Sequence, residues 1–509
     1  MEREEKVLKE LERIKKGGPQ RGHEKQRAEG KLFVRDRLKL FLDDGEPYTE
    51  FGRFARSGDP EFAADGIVTG TGKIDGRLVF FAANDYTVKA GSIGRYHGQK
   101  FILSQIAAIR ARKPMVYLVD SSGARIDETG GYHCERSIGL FYYHSIMSGF
   151  VPQIGVLYGT CFAGTAYTPV FCDVLIMMKD AAMAIASPRM VKMVIGEDVT
   201  PQALGGAQMH ASVSGSCDFV VDTEEQAAEI VKKLVGFLPD NSDCLPPEAE
   251  AREPKTDPAK IDDIIPPDAN RPYNVRKLIE AFVDADSFLE IKAKYAQELV
   301  VGFARLGGKV IGIVANQPSV KGGAIFPESS DKGAGFIWLC DAYNIPLVYL
   351  CDTPGFMAGS AVERGGILRR GRNFIFATSC ATVPRICVVV RKAYGAGIYA
   401  MSGPAYDPDI TLALPSAELA VMGPEAAINA VFFNKLQAIE DKEERAKVEK
   451  DLRDAYREGY NIFKLAGEMI VDDLIPPRDL RKECIRYFEA YKDKHVDRPK
   501  RRHATIVGG

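Results

Sequence analysis

The residues best suited to chemistry in this sequence are small residues that follow runs of apolar residues. Two such pairs lie in each half of the chain: Gly123–Ala124 and Gly164–Thr165, then Gly355–Phe356 and Ala396–Gly397. A strand that passes into a helix at such a turn leaves backbone N–H groups unpaired. Two facing donors of this kind can bind an anionic oxygen, and each stabilises an acyl-transfer transition state by roughly 3–4 kcal/mol. The pattern predicts oxyanion holes made of backbone.

Side-chain signatures of catalysis are absent from the sequence. It contains no GxSxG nucleophile elbow, no HExxH pair, no GxxxxGK[ST] phosphate loop and no GxGxxG that opens a dinucleotide-binding helix. The segment 130–144 holds two histidines, His133 and His144, without an acidic ligand motif. We interpret both as core or surface histidines. No metal site is expected.

The turns lie at equivalent positions of an internal sequence duplication. The blocks are PMVYLVDSSGA (114–124) with PLVYLCDTPGF (346–356), VPQIGVLYGTCFAGTAY (151–167) with VPRICVVVRKAYGAGIY (383–399), and MAIASP (183–188) with LAVMGP (419–424). One constant spacing, here called the repeat spacing, takes position 114 to 346 and position 151 to 383, and the third block repeats at a slightly larger one. Glycines that merely allow close helix–strand packing are the alternative interpretation. Identical placement in two copies favours a shared chemical role.

The elements that must position these turns form an α/β fold. The runs MVYLV, IGVLY, LVYLC and ICVVV are apolar on both faces, which is typical of buried strands in a largely parallel sheet covered by helices. Residues 367–380 show helical spacing, and 424–492 are predicted to be mostly helical. A segment rich in proline, aspartate and glutamate at 238–274 separates the halves. We predict domains at 1–254 and 255–509.

The amino-acid composition excludes several functional classes of protein. A hydrophobic content of 46%, a charged content of 27% and a net charge of −2 describe a globular protein with no electrostatic reason to bind nucleic acid. Ten single cysteines without a CxxC pair argue against a zinc ribbon or a redox dithiol. The glutamate-rich start, predicted to be a helix that stops at Gly17, is unlike a transit peptide, and no apolar run is long enough for a membrane span. We expect a cytoplasmic protein.

The chain resembles, over nearly its full length, the carboxyltransferase subunits of biotin-dependent acyl-CoA carboxylases. This group includes the β subunits of propionyl-CoA and methylcrotonyl-CoA carboxylase and the α subunit of glutaconyl-CoA decarboxylase. The matching stretches, in order, are GIVTGTGKIDGR (66–77), ANDYTVKAGS (83–92), VDSSGARI (119–126), IGEDVTPQALGGAQMH (195–210), VGFARLGGKVIGIVANQP (301–318), DTPGFMAGSAVERGGILRRG (352–371), RKAYGAGIYAM (391–401) and SAELAVMGPEAAINAVF (416–432).

The resemblance implies two tandem crotonase-like (ClpP/crotonase) β-spiral domains. The first would hold the acyl-CoA and the second would receive biotin, with sites formed between different subunits of a homohexamer. In this family carboxybiotin releases CO2, and the biotin enolate that remains takes the α proton of the thioester. The thioester enolate then captures CO2. Two enolates need two oxyanion holes and no side-chain base, which explains the missing nucleophile.

Position by position, the resemblance assigns Gly164–Thr165 to the thioester oxygen, with Gly123–Ala124 beside it. Ala396–Gly397 matches the hole for the ureido oxygen of biotin, with Gly355–Phe356 flanking. Family members often have Gly-Gly at the first hole and Gly-Ala at the second, so the pocket widths are expected to differ here. Tyr399 stands where propionyl-CoA and acetyl-CoA enzymes have a smaller acidic residue, which argues against simple propionyl-CoA specificity. A packing aromatic is the alternative for Tyr399.

Other subunits are also implied. The chain has no Met-Lys-Met context for biotinylation and no ATP-grasp glycine loop. A biotin carboxyl carrier protein and a biotin carboxylase would therefore be separate chains, or a membrane decarboxylase subunit if the enzyme is part of a pump. Three alternatives stay open: the same chemistry run as a decarboxylase, a biotin-independent hydratase or isomerase of the crotonase type, and a non-catalytic scaffold. The hydratase would need a paired acid and base, and none accompanies the turns.

Overall fold

A computed structural model describes residues 2–45, 47–129, 139–499 and 504–506. It divides the chain into two compact units, Met1–Pro247 and Glu248–Gly509. The sequence predicts a boundary between residues 254 and 255. His133 lies outside the described residues.

The first unit has nine strands and eleven helices among its described residues. The strands are β1 (Thr49–Phe51), β2 (Ile67–Ile74), β3 (Arg77–Asn84), β4 (Met115–Val119), β5 (Gln153–Leu157), β6 (Thr160–Phe162), β7 (Val174–Met178), β8 (Ala182–Ala184) and β9 (Phe219–Val221). The helices are α1 (Glu2–Lys15), α2 (Gln20–Ala28), α3 (Val34–Phe41), α4 (Arg95–Ala111), α5 (Ile126–Thr129), α6 (Leu140–Met147), α7 (Tyr167–Phe171), α8 (Pro188–Ile195), α9 (Pro201–Gly205), α10 (Ala207–Met209) and α11 (Glu224–Phe237).

The sheet of the first unit has seven strands in the order β1-β2-β3-β4-β5-β7-β9. The first three strands pair antiparallel, and the pairs from β3 to β9 are parallel. Every residue of β4 and β5 is buried, as expected for runs that are apolar on both faces. Strands β6 and β8 form a separate two-stranded parallel sheet beyond the end of β5.

The second unit has eight strands and eleven helices among its described residues. The strands are β10 (Leu289–Ile291), β11 (Leu299–Leu306), β12 (Lys309–Asn316), β13 (Leu347–Thr353), β14 (Arg385–Tyr394), β15 (Ile410–Ala413), β16 (Glu418–Ala420) and β17 (Asp473–Leu474). The helices are α12 (Ile261–Ile264), α13 (Val275–Glu280), α14 (Pro327–Ala342), α15 (Ser360–Arg364), α16 (Ile367–Cys380), α17 (Gly397–Ala400), α18 (Pro424–Val431), α19 (Phe433–Gln437), α20 (Lys442–Glu458), α21 (Ile462–Gly467) and α22 (Leu480–Ala490).

The second sheet repeats the first. Its order is β10-β11-β12-β13-β14-β15-β17, and β16 pairs with the far end of β14 as β8 pairs with β6. Met115 pairs with Gln153 in the first unit, and Leu347 pairs with Arg385 in the second, so both partners are displaced by the repeat spacing. The predicted duplicated α/β architecture is confirmed.

Helices predicted from sequence spacing are also present. Helix α16 matches the predicted range 367–380 and buries Ile367 and Phe374, and the ring of Phe374 lies against Gly333 of α14. Helices α18 to α22 follow one another through the C-terminal region, and α20 has no buried residue, as expected for a solvated helix. Helix α1 ends at Lys15, just before Gly17, which has a φ of +78°. Within the described residues, no helix is both long enough and apolar enough to span a membrane.

Candidate active site

The first turn of each unit follows the central strand β4 or β13. Gly123 and Gly355 occupy equivalent positions in these turns, and both have a φ of +112°, which only glycine adopts without strain. Their N–H groups donate within the turn, to Ser121 Oγ at 3.3 Å and to Thr353 Oγ1 at 3.1 Å. These two N–H groups are therefore already used, and the turns are better suited to form walls than to supply donors.

Isolated parallel bridges hold the first turns in place. Ile93 bridges Ala124, and Ile325 bridges Phe356. The N–H of Ile93 donates to the Gly123 carbonyl at 2.8 Å, and the N–H of Ile325 donates to the Gly355 carbonyl at 3.0 Å. The two turns thus share conformation, position and anchoring, although only some of their residues are identical.

The second turn of each unit begins with a left-handed residue. Ala163 has a φ of +59° before Gly164–Thr165, and Gly395 has a φ of +56° before Ala396–Gly397. A left-handed alanine is strained by about 1 kcal/mol or more, so the surrounding structure enforces this conformation in the first unit. The reversal turns the chain from the strand directly into a short helix in both copies.

Backbone donors are left unpaired at these second turns. Among the residues that the structure describes, no acceptor meets the N–H groups of Gly164, Thr165, Ala396 or Gly397. Gly164 and Ala396 are exposed, whereas Thr165 and Gly397 are buried behind them. Each unit therefore presents two adjacent free N–H groups, one at the surface and one just beneath it. This arrangement suits one carbonyl or enolate oxygen.

The two turns of the second unit touch each other. A Cβ placed on Gly397 would lie 2.9 Å from the Gly355 Cα and 2.8 Å from Thr353 Cγ2. The structure therefore brings together the two turns that the sequence predicted for this half. In the first unit the Cβ position of Gly164 lies 3.9 Å from Phe141 Cζ, and that of Gly123 has no described atom within 4 Å. The Cβ position of Gly355, the residue equivalent to Gly123, lies 3.1 Å from the Tyr394 carbonyl oxygen, so among the described residues the turn at Gly123 is the less crowded of the two.

Comparison with known proteins identifies the chemistry. The family described as Carboxyl transferase domain matches residues 25–506. The chain belongs to this family. It is a carboxyltransferase of the biotin-dependent acyl-CoA carboxylases and decarboxylases, as the sequence predicted.

Two relatives and one solved structure show how closely the carboxyltransferase follows its family. It is 47% identical to the uncharacterized carboxylase YngE of Bacillus subtilis over 99% of both chains. It is 40% identical to the methylmalonyl-CoA carboxyltransferase 12S subunit of Propionibacterium freudenreichii subsp. shermanii, over 99% of this chain and 97% of that one. A structure of transcarboxylase 12S with methylmalonyl-CoA and methylmalonic acid bound superposes with a TM-score of 0.91 at 39% identity, covering 99% and 98% of the chains. The crotonase-like fold is confirmed.

In the carboxyltransferase, a tyrosine follows each of the two pairs of free backbone N–H groups. Tyr399 lies two residues beyond Ala396–Gly397, is 40% exposed, and stacks on Tyr406 at 4.7 Å between ring centroids. Tyr167 occupies the equivalent position beyond Gly164–Thr165, is 38% exposed, and lies 5.0 Å from the ring of Phe141. Sequence reasoning singled out Tyr399 and missed Tyr167. The repeat spacing was the signal that could have found it.

Two described side chains of the first unit, Cys161 and His144, are not poised for acid–base or nucleophilic work. Cys161 lies in β6, three residues before Gly164, and burial raises the pKa of its thiol to about 12. His144, which the sequence assigned to the core or surface, is buried, and its Nδ1 lies 2.7 Å from Gln153 Oε1. Burial lowers the pKa of His144 to about 4. The described part of the chain contains no group of three or more metal-ligating side chains.

Proposed function

We propose that this chain moves a carboxyl group between carboxybiotin on a separate carrier chain and the α carbon, or vinylogous γ carbon, of an acyl-CoA. The observation that carries this proposal is the repeated pair of free backbone N–H groups, one pair per unit. Carboxyl transfer between biotin and a thioester develops negative charge on two different oxygens in turn. A duplicated hole suits that sequence of events, whereas a hydratase needs one hole and a paired acid and base.

The hole at Gly164–Thr165 would bind the thioester oxygen. Its two N–H groups stabilise the negative charge that forms there when the α proton leaves, and Gly123–Ala124 forms the adjoining wall. Thr165 contributes through its backbone, because its Oγ1 already donates to the Phe162 carbonyl at 2.7 Å. The first unit, which corresponds to the predicted domain 1–254, would therefore bind the CoA ester.

The hole at Ala396–Gly397 would bind the ureido oxygen of biotin. Its N–H groups favour the charged form of that oxygen as the carboxyl group departs, and Gly355–Phe356 forms the wall in contact with Gly397. Carboxybiotin itself supplies the CO2 and, once decarboxylated, the base that removes the α proton. The free N–H pair fits this group because it offers two donors to one oxygen. The second unit, predicted as 255–509, would be the biotin side.

We also propose that the chain assembles as a homohexamer with sites at dimer interfaces. The relative solved with methylmalonyl-CoA is described as a hexamer assembly. Helix α8 has no buried residue, and three of its apolar side chains are more than 65% exposed: Met193, Val194 and Ile195. Val421 just before α18 and Met469 after α21 are more than 80% exposed in the second unit. Apolar side chains exposed to this extent are typical of surfaces that a partner covers.

The partners would be a biotin carboxyl carrier protein and a biotin carboxylase, which together make the whole assembly a ligase. With a membrane decarboxylase subunit in place of the carboxylase, the same site would run toward decarboxylation. A cytoplasmic location is part of the proposal, and it is supported by nine free cysteines among the described residues, as in a reducing compartment.

A panel of carboxylated CoA esters tests the proposal. Purified chain and a free biotin derivative are incubated with malonyl-CoA, methylmalonyl-CoA or glutaconyl-CoA, and released CO2 is measured. We expect release that depends on biotin for at least one ester. Release from no ester, or release that is independent of biotin, contradicts the proposal. The ranking of esters also shows which acyl group the chain with Tyr399 accepts.

A further inference from the structure

A buried aspartate lies beside the hole in each unit. Asp120 directly follows β4, and Asp352 lies near the end of β13, at the position that the repeat spacing assigns to it. Both are 1% exposed. Their backbone N–H groups donate to Asn84 Oδ1 at 3.2 Å and to Asn316 Oδ1 at 3.1 Å. Burying a carboxylate is costly unless it is paired, so each aspartate needs cations.

Asp352 fills an irregularity in the strand that leads to the biotin-side hole. Cys351 pairs with Val389 but Thr353 pairs with Ala393, so residues 390–392 of β14 stand opposite Asp352 alone. The Asp352 carboxylate accepts from Arg391 Nε at 2.7 Å and from the Lys392 backbone N–H at 3.3 Å. This anchor adds to the pairing of residues 392–394 with β16 in fixing the direction in which β14 leaves the sheet toward Ala396–Gly397.

Arg391 itself is tied to the chain on its other side. Its Nη1 donates to the carbonyls of Asp268 at 2.9 Å and Arg271 at 2.8 Å, and Lys392 Nζ donates to the Ala269 carbonyl at 2.7 Å. The carboxylate thus connects the end of β13, the irregular part of β14 and the segment 266–271. All of these groups lie within the second unit.

In the first unit, the cations that pair with the buried aspartate come from a different part of the chain. Gly159, at the position equivalent to Arg391, lies in the break between β5 and β6. Its Cβ position is 2.7 Å from Asp120 Oδ1 and 2.8 Å from Lys31 Nζ. Lys31 contacts Asp120 at 2.9 Å, and Arg37 lies at 3.5 Å. Both cations come from the N-terminal segment rather than from the strand.

We propose that Asp120 and Asp352 are positioning residues that hold the strand breaks from which the two oxyanion turns project. Each carboxylate sits at the same break and faces two cations of different origin there: Arg391 and Lys392 Nζ (at 3.6 Å) for Asp352, and Lys31 and Arg37, which also pairs with Glu224, for Asp120. Both units keep an aspartate at this position although the cations that pair with it differ. We infer that the strand break itself requires the carboxylate. This inference rests on the proposed function, because it assigns the residues to the turns that bind the two substrate oxygens.

The test compares Asp352→Asn with Asp284→Asn. Asp284 is buried in the same unit and pairs with Arg481 at 2.8 Å. Its carboxylate accepts from the N–H groups of Gly307 and Gly308, just before β12 begins, whereas Asp352 lies beside Asn316, where β12 ends. Both variants lose a buried charge, so both lower the thermal midpoint. A misplacement of about 1 Å in the turn can lower the rate by about 100-fold. We therefore expect Asp352→Asn to lower kcat for biotin-dependent CO2 release at least about tenfold, with an unchanged KM for the CoA ester.

Asp284→Asn is expected to keep the wild-type kcat. A kcat for Asp352→Asn within about twofold of that of Asp284→Asn overturns the inference, because both aspartates would then be merely structural. If wild-type protein releases no CO2 from any ester, the proposed function fails instead, so the two failures are distinct.

A milder pair of variants covers the case in which Asp352→Asn does not fold. Lys31→Met removes one cation from Asp120 and leaves Arg37 in place. Its control is Lys113→Met, which removes a partly buried lysine paired with Asp240 at the other end of the sheet. We expect kcat to fall about three- to tenfold for Lys31→Met only. Equal kcat values for the two lysine variants overturn the inference for the first unit.

Discussion

At the level of single residues, Ala396 and Gly397 differ in which amino-acid substitutions they can tolerate. Gly397 has no room for a Cβ, since one would lie 2.9 Å from the Gly355 Cα. Replacing Gly397 by any residue, proline included, would disturb packing as well as the N–H donor. Ala396 is exposed and has a φ of −67°, which is close to the φ of proline. Ala396 is therefore the better site at which to remove one donor.

Ala396→Pro is expected to lower kcat for biotin-dependent CO2 release by about 100- to 1,000-fold, as loss of one oxyanion donor does elsewhere. The chain should stay folded, because proline fits the backbone at this position. Ala396→Gly keeps the N–H group and is expected to stay within about threefold of wild type. Steady-state kinetics and a thermal melt of the three proteins check this. A proline variant with near wild-type kcat would remove Ala396 from the hole.

At the level of elements, the hole of the first unit rests on a core in which helix α6 packs against strand β5. His144 of α6 lies buried between the rings of Tyr117 and Phe171, with centroids at 4.8 and 5.6 Å. His97 of α4 is also buried, and its Nε2 accepts from Asn84 Nδ2 at 3.2 Å. Burial lowers the pKa of His97 to about 3, so both imidazoles are neutral in the folded unit at physiological pH.

Acid is therefore expected to destabilise the first unit. The unfolded chain binds protons at both histidines below about pH 6.5, whereas the folded unit does not until about pH 4 and 3. The free energy of unfolding falls as pH drops through that window, by up to about 1.4 kcal/mol per pH unit for each histidine. Urea unfolding at pH 7, 6 and 5 measures the slope. His144→Gln, which keeps a donor toward Gln153, should show a shallower slope. Equal slopes for the two proteins contradict the assignment of His144.

At the level of the whole molecule, the two duplicated units share the backbone conformation of their turns but differ in the groups that surround these turns. Both units keep the turn conformations at Gly123 and Gly355 and the left-handed residues at 163 and 395. Among the described residues, they differ in the contacts around Gly123 and Gly355 and in the source of the cations around Asp120 and Asp352. Such differences are what the proposed binding of two different substrate oxygens would require.

The exposed apolar side chains give a prediction at this scale. Met193→Glu or Val421→Glu, each placing a charge on an apolar patch, is expected to weaken the oligomer at least about tenfold, because an interface core disfavours an unpaired charge. Leu245→Glu is the control, since Leu245 is 76% exposed in the Pro-rich connector. Sedimentation velocity across a dilution series measures the assembly. A hexamer unchanged by both patch variants would place the interface elsewhere.

The sequence by itself determined the duplication, the buried strands, the positions of the four turns and the family. These features are local or periodic: apolar runs, small residues and the repeat spacing can all be read along the chain. Even Tyr167 was within reach of the same spacing. The fold class followed from them because buried parallel strands joined by helices leave few arrangements.

Only the tertiary structure decided which backbone donors are free and what holds them. Gly123 and Gly355 look like donors in the sequence, yet hydroxyl groups two residues away occupy their N–H groups. Contact between Gly355 and Gly397 depends on how two loops meet. The pairing of Asp120 with Lys31 joins residues 89 positions apart, and no local pattern marks it. Hydrogen-bond saturation and ion pairing are properties of three-dimensional neighbours, which spacing along a chain does not specify.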